Sequence, residues 1–310
     1  MLFKLQSLAS FVMQLLLTAF LALDAHAEAQ DVQQNLQTEA AARVHPLLWE
    51  LKGAKNSVFL FGSIHVAKPD FYPLPAYVEN AYKKADTLAV EVDPSAPDVA
   101  ARMVPYLTYK AADNLQNHLT PATWQKLSAK LGPAVEQMKA LKPAMLSVVM
   151  AVGLYGELGY RSEAGIDVHF ISRARLDRKS LVELESIEFQ ASVLGGLDDS
   201  DGEAMLADVL DGFENGEAVE YVNGLAAAWQ KGDADGLVEL LTKEAGKDPG
   251  SARMMKLLID DRNPGMANKI ARLFRDGKNV FVVIGAGHLV GRGSVVELLQ
   301  KQGLDVRQVK

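Results

Sequence analysis

Two histidines follow apolar runs in the same local pattern, about 220 residues apart in the chain. Residues 62–65 (Gly-Ser-Ile-His) and residues 285–288 (Gly-Ala-Gly-His) are both Gly-x-x-His, and the preceding runs are rich in β-branched and aromatic residues typical of buried strands. In an open α/β sheet the ligand crevice lies beyond the carboxyl ends of the strands. The pattern predicts that His65 and His288 share one cleft. Taken alone, each fits a loop histidine with an ordinary hydrogen bond.

Acidic residues end two further predicted strands. Glu91 and Asp93 close the apolar run at 87–93, and Glu185 closes the run at 179–186. Side chains two residues apart in a strand point to the same face, so Glu91 and Asp93 are expected to overlook the same crevice. The alternative is that these carboxylates stabilise the starts of the helices that follow. Their placement together with the histidines favours a shared site for metal binding or proton transfer.

Three glycines of the histidine motifs are candidates for binding at the same site. Gly62, Gly285 and Gly287 stand where a chain leaving a strand needs a positive φ or a close backbone approach. Backbone N–H groups exposed there would stabilise a developing oxyanion.

Arginines are candidates for a different task, because a guanidinium holds a carboxylate in a fixed bidentate geometry. Arg161 and Arg262 are the two candidates. Arg262 follows Asp260 and Asp261, so the local sequence favours an exposed salt bridge at a helix end as the alternative. The histidines at positions 45, 118 and 169 do not follow predicted strands, and we expect them to be surface or packing residues.

The order of predicted strands and helices that position these residues indicates an α/β (α+β) fold. The fold is a central mixed β-sheet with an opening hairpin, flanked by helices and carrying a large helical insertion. The pattern predicts a hairpin over 48–61, a helix over 73–85, strands at 87–93, 179–186, 279–284 and 305–309, and helices over most of 100–176, 187–243, 251–275 and 293–302. The expected α/β core covers about 46–98, 178–190 and 262–310, and the insertion about 99–177 and 190–260.

The first residues are typical of a targeting segment. Lys4, an apolar stretch at 8–23 and Ala-His-Ala at 25–27 predict a secretory signal peptide over 1–27, followed by a flexible leader over 28–45. The predicted location is periplasmic or secreted, with no stable membrane insertion after cleavage. A membrane anchor is the alternative, but the uninterrupted apolar part at 11–23 is shorter than the roughly 20 residues that a span needs.

Composition excludes several function classes. The formal net charge is -7, which argues against nucleic acid as a partner, and the chain has no cysteine, which excludes thiolate zinc sites and cysteine nucleophiles. The sequence contains no Gly-x-Ser-x-Gly elbow, no Walker loop and no His-Glu-x-x-His helix, which argues against serine hydrolases and P-loop enzymes. Hydrophobic residues make up 49% of the chain, enough to bury a core.

A set of motifs spread from about residue 46 to the C-terminus resembles the TraB/GumN family, which is related to the Tiki proteases and more distantly to erythromycin esterases. The motifs are Leu48-Trp49-Glu50 before residues 62–65, Glu91-Val92-Asp93, Gly165-Ile166-Asp167, Leu184-Glu185-Ser186 with Gln190, Asp261-Arg262-Asn263 with Met266, and Gly-Ala-Gly-His-Leu-Val-Gly at 285–291. Ser186 stands where threonine is common in the family.

The resemblance implies roles for five residues: His65 and His288 match the family's paired histidines, Glu91 and Glu185 its acidic positions, and Arg262 its late arginine. A divalent metal (Mn²⁺, Co²⁺ or Zn²⁺) would then be held by both histidines and one or two of Glu91, Asp93 and Glu185. Glu91 or Glu185, whichever is not a ligand, would act as general base.

The function expected from these observations is a metal-dependent hydrolase that cleaves a peptide or an exposed protein terminus. Two alternatives stay open. One is a non-catalytic protein that sequesters a peptide or a pheromone-like ligand, and the other is a metal-independent hydrolase in which a histidine activates water. No feature of the sequence predicts the particular substrate or the oligomeric state.

Overall fold

The structure, a computed structural model, describes residues 44–246 and 249–309. The predicted signal peptide and residues 28–43 of the predicted leader lie outside these residues. The last two leader residues are packed, because Val44 is buried and the His45 N–H donates to the carbonyl of Gln230 at 2.6 Å. Within the described residues, none of the helices combines the length and apolarity needed to traverse a bilayer.

A six-stranded mixed sheet forms the centre of the molecule, with the strand order β4-β3-β5-β2-β1-β6. Its strands are β1 (Leu48–Lys52), β2 (Ser57–Ser63), β3 (Thr87–Val90), β4 (Ser180–Glu183), β5 (Val280–Gly285) and β6 (Val306–Gln308). Strands β4, β3, β5 and β2 run parallel, β1 is antiparallel to β2, and β6 is antiparallel to β1. The predicted α/β class with an opening hairpin is confirmed.

Helices connect the parallel strands and cover the sheet. They are α1 (Ala76–Lys84), α2 (Val99–Leu107), α3 (Pro121–Leu131), α4 (Val135–Met138), α5 (Pro143–Glu157), α6 (Ile166–Leu176), α7 (Ile187–Gly195), α8 (Asp199–Asn215), α9 (Glu217–Lys231), α10 (Ala234–Ala245), α11 (Pro249–Met255), α12 (Asn263–Arg275) and α13 (Val295–Lys301). Proline starts α3 and α5, where its missing N–H costs no helical hydrogen bond.

Shorter helical turns join several of these elements. They are 3-10 turns at Pro69–Phe71, Leu115–His118, Gly132–Ala134, Ser162–Ala164 and Ala286–His288, and a π-helical turn at Lys256–Asp260. The π-helical turn at Lys256–Asp260 precedes α12, and the turn at Ala286–His288 follows β5. Both lie beside the site described below.

The buried apolar side chains of the described residues form two clusters. The larger one lies on the sheet, where the Phe170 ring packs 5.7 Å from Phe61 and 4.9 Å from Phe281. The smaller one, with Leu127 and Leu206, holds the helices α3, α5 and α8 together. Helices α6 and α9 belong to the predicted insertion, yet both contribute side chains to the sheet cluster. These two helices therefore pack against the sheet, whose central strands are apolar on both faces.

Candidate functional site

The four parallel strands end at one edge of the sheet, and each is followed by one of the predicted functional residues. In the spatial order of the strands these are Glu185 after β4, Glu91 after β3, His288 after β5 and His65 after β2. Neighbouring strands lie about 4.8 Å apart, so the four chain segments form a row along this edge. The two histidine segments are adjacent because β2 and β5 pair, with Ser63 opposite Gly285.

Glu91 and Glu185 share one guanidinium. Nη2 of Arg262 donates to Oε2 of both carboxylates, at 2.6 Å to Glu185 and closer still to Glu91, while its Nε donates to Glu185 at 3.1 Å. The side-chain amide of Gln190 donates to both carboxylates, at 3.1 Å to Glu91 and 2.9 Å to Glu185. Nη1 of Arg262 donates to the carbonyl of Leu258 at 2.9 Å. This clamp fixes one oxygen of Glu91 and both oxygens of Glu185.

The prediction that Arg262 forms an exposed salt bridge with a neighbouring aspartate is therefore wrong. Asp261 pairs with Lys256 at the surface, and the Arg262 side chain is only 11% exposed. The physical reason is that two buried carboxylates from distant segments outcompete a solvated neighbour for the guanidinium.

The clamp leaves the buried cluster with an excess of negative charge, since it contains two carboxylates and one guanidinium. Burial acts to raise the pKa of Glu91, but the interactions of this carboxylate with His288, His65, Arg262 and the N–H of Gly285 outweigh burial and hold that pKa below its ordinary value. Glu91 is therefore ionised at neutral pH. Its Oε1 accepts the Gly285 N–H at 2.7 Å and faces the histidine side of the row.

His288 is a buried, neutral imidazole with a defined tautomer. Its Nδ1 lies 2.7 Å from Oδ1 of Asn263, whose amide nitrogen donates to the carbonyl of Gly293 at 2.9 Å. Because that contact orients Oδ1 as the acceptor, Nδ1 carries the proton and Nε2 keeps its lone pair. Nε2 lies 3.8 Å from Oε1 of Glu91. Burial lowers the pKa of His288 to about 4, an effect that the charge of Glu91 opposes.

His65 differs from His288 in its exposure. Its side chain is 71% exposed, and its Nδ1 lies 2.9 Å from Oδ2 of Asp167. The Ser63 hydroxyl donates to the other oxygen of Asp167 at 2.7 Å and holds that carboxylate in place. The Asp167 carboxylate raises the pKa of His65. Nε2 of His65 has no hydrogen-bond partner among residues 44–246 and 249–309. Binding of a metal ion there would require the imidazole to lose the proton that the Asp167 carboxylate stabilises.

Asp167 and Asn263 are the functional residues that sequence reasoning missed. Both occur in the motifs that carry the family resemblance, but no role was predicted for either. Their presence in these motifs is the sequence signal that could have identified them. Local patterns could not, because Asp167 and Asn263 lie 102 and 25 residues away in the chain from the histidines that they contact.

Asp93 does not join the row. Its carboxylate accepts the Ser95 hydroxyl at 2.6 Å and pairs with Arg175 of α6. The expectation that Asp93 and Glu91 point the same way depends on a strand that continues to residue 93. Because β3 ends at Val90, the alternation of side chains stops before either carboxylate.

The three motif glycines have other roles than a left-handed turn, since none has a positive φ. A Cβ on Gly62 would lie 3.1 Å from that of Ala286, and a Cβ on Gly285 would lie 3.3 Å from Oε1 of Glu91. Close approach therefore explains Gly62 and Gly285, whereas a Cβ on Gly287 would meet only flexible side chains. The Gly285 N–H is occupied by Glu91 and is not available to an oxyanion.

The chemistry of His65 Nε2, His288 Nε2 and Glu91 Oε1 suits Mn²⁺, Co²⁺ or Zn²⁺. A side-chain oxygen fixes Nδ1 of each imidazole, as is usual for metal-binding histidines. Their positions do not form a metal site as they stand, because the part of the chain that the structure describes contains no group of three His, Asp or Glu residues placed to hold a metal ion. The donor types therefore suit a metal while their spacing does not, and His65 is the exposed member of the three.

Fold and site together define an α/β protein whose candidate site lies at the carboxyl ends of four parallel strands. The profile of the TraB/PrgY/gumN family matches residues 47–308, and the chain belongs to this family. The resemblance predicted from the motifs is thus confirmed.

Individual relatives agree with this assignment. The chain is 27% identical to the uncharacterized protein YbaP of Shigella flexneri, over 81% of this chain and 90% of that protein, and 27% identical to YbaP of Escherichia coli (strain K12), over 78% and 87%. It is 22% identical to the metalloprotease TIKI1 of Danio rerio, over 85% of this chain and 63% of TIKI1. No solved structure matches the chain significantly.

Proposed function

We propose that this protein is a secreted or periplasmic hydrolase that cleaves peptides or protein termini with a divalent metal ion held by His65, His288 and Glu91. One observation carries the proposal. Both imidazoles have Nδ1 fixed by a side-chain oxygen, from Asp167 and Asn263, so each offers Nε2 at the same edge of the sheet where Glu91 lies. The similarity to proteins named metalloprotease TIKI1 supports it.

A metal ion in this site would polarise a peptide carbonyl and lower the pKa of a bound water. The other contributions come from the chain itself. Arg262 and Gln190 hold Oε2 of Glu91, so that Oε1 keeps one orientation toward His288. Glu185 has both oxygens bound to Arg262, which suits it to positioning this guanidinium rather than to moving a proton. Of the two candidate carboxylates, Glu91 is thus the one that acts on the substrate side.

The difference in exposure between the histidines assigns them different tasks. His288 is neutral and 3% exposed, so it provides a rigid base or ligand deep in the site. His65 lies at the solvent side of the row and is the first of these groups that an arriving substrate meets. Binding of one ion by all three donors requires the exposed His65 side chain to approach the other two.

One observation favours a second candidate, a metal-independent hydrolase. A neutral imidazole with its proton fixed on Nδ1 and a lone pair on Nε2 is the arrangement of a general base. His288 has this arrangement without any metal ion, and its Nε2 lies 3.8 Å from Oε1 of Glu91. In that mechanism Nε2 of His288 takes a proton from the attacking water, and Glu91 stabilises the imidazolium that forms.

Peptide hydrolysis by the chain from residue 28 onward tests the proposal. The protein is stripped of metal, reloaded with Mn²⁺, Co²⁺ or Zn²⁺, and incubated with a diverse peptide pool that is analysed by mass spectrometry. We expect cleavage that is abolished by chelation and by His65→Ala, His288→Ala and Glu91→Gln. His118→Ala is the matched control, because His118 also pairs with carboxylates but lies in a turn outside the row.

The outcomes separate the candidates. Cleavage that survives strong chelation supports the metal-independent hydrolase. Peptide binding that is lost in the histidine variants, with no cleavage by the wild type under any metal, supports a sequestering protein and refutes both enzymatic proposals.

A further inference from the structure

Arg161 is a cation beside the candidate site that the proposed mechanism does not use. Its side chain is exposed, and its guanidinium has neither an ion pair nor a hydrogen-bond acceptor among the described residues, 44–246 and 249–309. By contrast, Arg173 and Arg175, on the next helix, are each paired with a carboxylate. An exposed arginine without a partner is free to bind an anion from solution.

The backbone fixes Arg161 close to His65. An antiparallel bridge joins Arg161 to Ala67, with the Ala67 N–H donating to the Arg161 carbonyl at 3.1 Å and the Arg161 N–H to the Ala67 carbonyl at 2.8 Å. On the other side of His65, the Ile166 N–H donates to the Ile64 carbonyl at 3.0 Å. The histidine loop is therefore held against the Arg161 segment at both of its ends.

This pairing places the backbone of Arg161 near that of His65. Arg161 stands opposite a residue only two positions after His65, and two residues of extended chain span about 7 Å. An extended arginine side chain covers a distance of that order. His65 and Arg161 are both exposed to solvent.

A second cation lies on the same two segments. The Lys68 ammonium lies 4.5 Å from the centre of the Tyr160 ring, next to Arg161 in the chain. The charge of Asp70 acts on Tyr160 from this side. The solvent side of the row therefore offers an arginine on a fixed backbone with a neighbouring ammonium, while the buried side carries the negative charge of Glu91 and Glu185.

We infer that Arg161, assisted by Lys68, binds a carboxylate of the substrate beside His65. This inference rests on the proposed function and narrows its substrate class to peptides that carry a carboxylate close to the scissile bond. The carboxylate is either the free C-terminus of a short peptide or an Asp or Glu side chain. Bidentate pairing with Arg161 orients such a peptide so that its carbonyl lies along the row toward His288 and Glu91.

Matched peptides test this inference and distinguish the two sources of carboxylate. One pair has the same sequence with a C-terminal acid or amide, and the other has an Asp or an Asn next to the cleaved bond. We expect Arg161→Gln to raise KM about tenfold for the peptide whose carboxylate is recognised, without changing kcat or the KM of its neutral counterpart. Arg161→Lys should lose part of this preference. Arg272→Gln, at an exposed position of α12, is the control and should change nothing.

An unchanged ratio of KM values between acidic and neutral peptides in Arg161→Gln would overturn the inference, whether or not the enzyme is active on both. If the wild type cleaves no peptide, the proposed function fails, and calorimetric binding of the same peptides still decides this point. A preference for the acidic peptide that disappears in Arg161→Gln supports carboxylate binding, and equal affinities of both variants for both peptides contradict it.

Discussion

Replacing Arg262 with methionine should destabilise the protein in a manner that depends on pH. The substitution keeps most of the side-chain volume but leaves Glu91 and Glu185, with side chains 7% and 5% exposed, without their shared cation. Removing one partner from a buried ionic cluster costs about 3 to 5 kcal/mol. That loss is a large part of the roughly 5 to 15 kcal/mol by which folded domains are usually stable.

The pH dependence follows from the sign of the pKa change. Without the guanidinium, less positive charge opposes the effect of burial, so the pKa of Glu91 is higher in the folded variant than in the folded wild type. The folded variant then binds a proton more readily than the folded wild type, so its stability deficit relative to wild type shrinks as the pH falls from 7 toward about 4.5. Adding Glu185→Gln to the Arg262→Met background should restore part of the lost stability at pH 7, because one uncompensated charge is removed.

Urea unfolding followed by far-UV circular dichroism at pH 7 and pH 5 measures these differences. Lys256→Met is the matched control, since it breaks the exposed pair with Asp261, 62% and 44% exposed, and should cost no more than about 1 kcal/mol. An Arg262→Met deficit below about 1 kcal/mol, or one that is equal at both pH values, would refute the account of the clamp.

Three further predictions concern positions around the site. Burial lowers the pKa of His169 to about 4, so the wild type should lose about 1 to 3 kcal/mol of stability relative to His169→Phe as the pH falls from 6.5 to about 4. Urea unfolding that gives the same stability difference between the two proteins at both pH values would contradict this. Gly62→Ala should lower the free energy of unfolding by about 1 to 3 kcal/mol, because the new Cβ would lie 3.1 Å from that of Ala286. Gly265→Ala, in open space within α12, should raise it by about 0.5 to 1 kcal/mol, and equal effects in thermal unfolding would refute the close-approach argument. Asp167→Asn should lower the pKa of His65, measured by NMR titration of its imidazole, and an unchanged pKa would show that Asp167 does not set it.

Much of the fold is predictable from local patterns, because the strands are short apolar runs with clear polar endings. The hairpin of β1 and β2 and the positions of β3, β4 and β5 all follow from such runs. Local patterns do not determine where a strand stops. β3 ends at Val90, three residues earlier than predicted, because its parallel neighbours β4 and β5 pair with it only through that residue.

The candidate site shows the same division. His65, His288, Glu91 and Glu185 are predictable because each follows its own strand. Their order along the edge is not, since it depends on β5 entering between β2 and β3.

The partners of these side chains are harder still to predict. The residues next to Arg262 in the chain are acidic, and they suggest a local salt bridge that the tertiary structure replaces with Glu91 and Glu185. Asp167 and Asn263 reach their histidines through tertiary contacts, which leave no periodic signal in the sequence. Arg161 illustrates the reverse case, because its role depends on a partner that the protein itself does not supply.

Metal binding by the stripped chain tests the central claim most directly, namely that His65, His288 and Glu91 act as one site. Calorimetric titration with Mn²⁺, Co²⁺ and Zn²⁺ should show one ion bound per chain, and Co²⁺ should give a visible spectrum that reports nitrogen and oxygen ligands. The account predicts that His65→Ala, His288→Ala and Glu91→Gln each abolish or strongly weaken this binding, whereas His118→Ala binds like the wild type. Absence of binding in the wild type, or equal binding by all four variants, would contradict it.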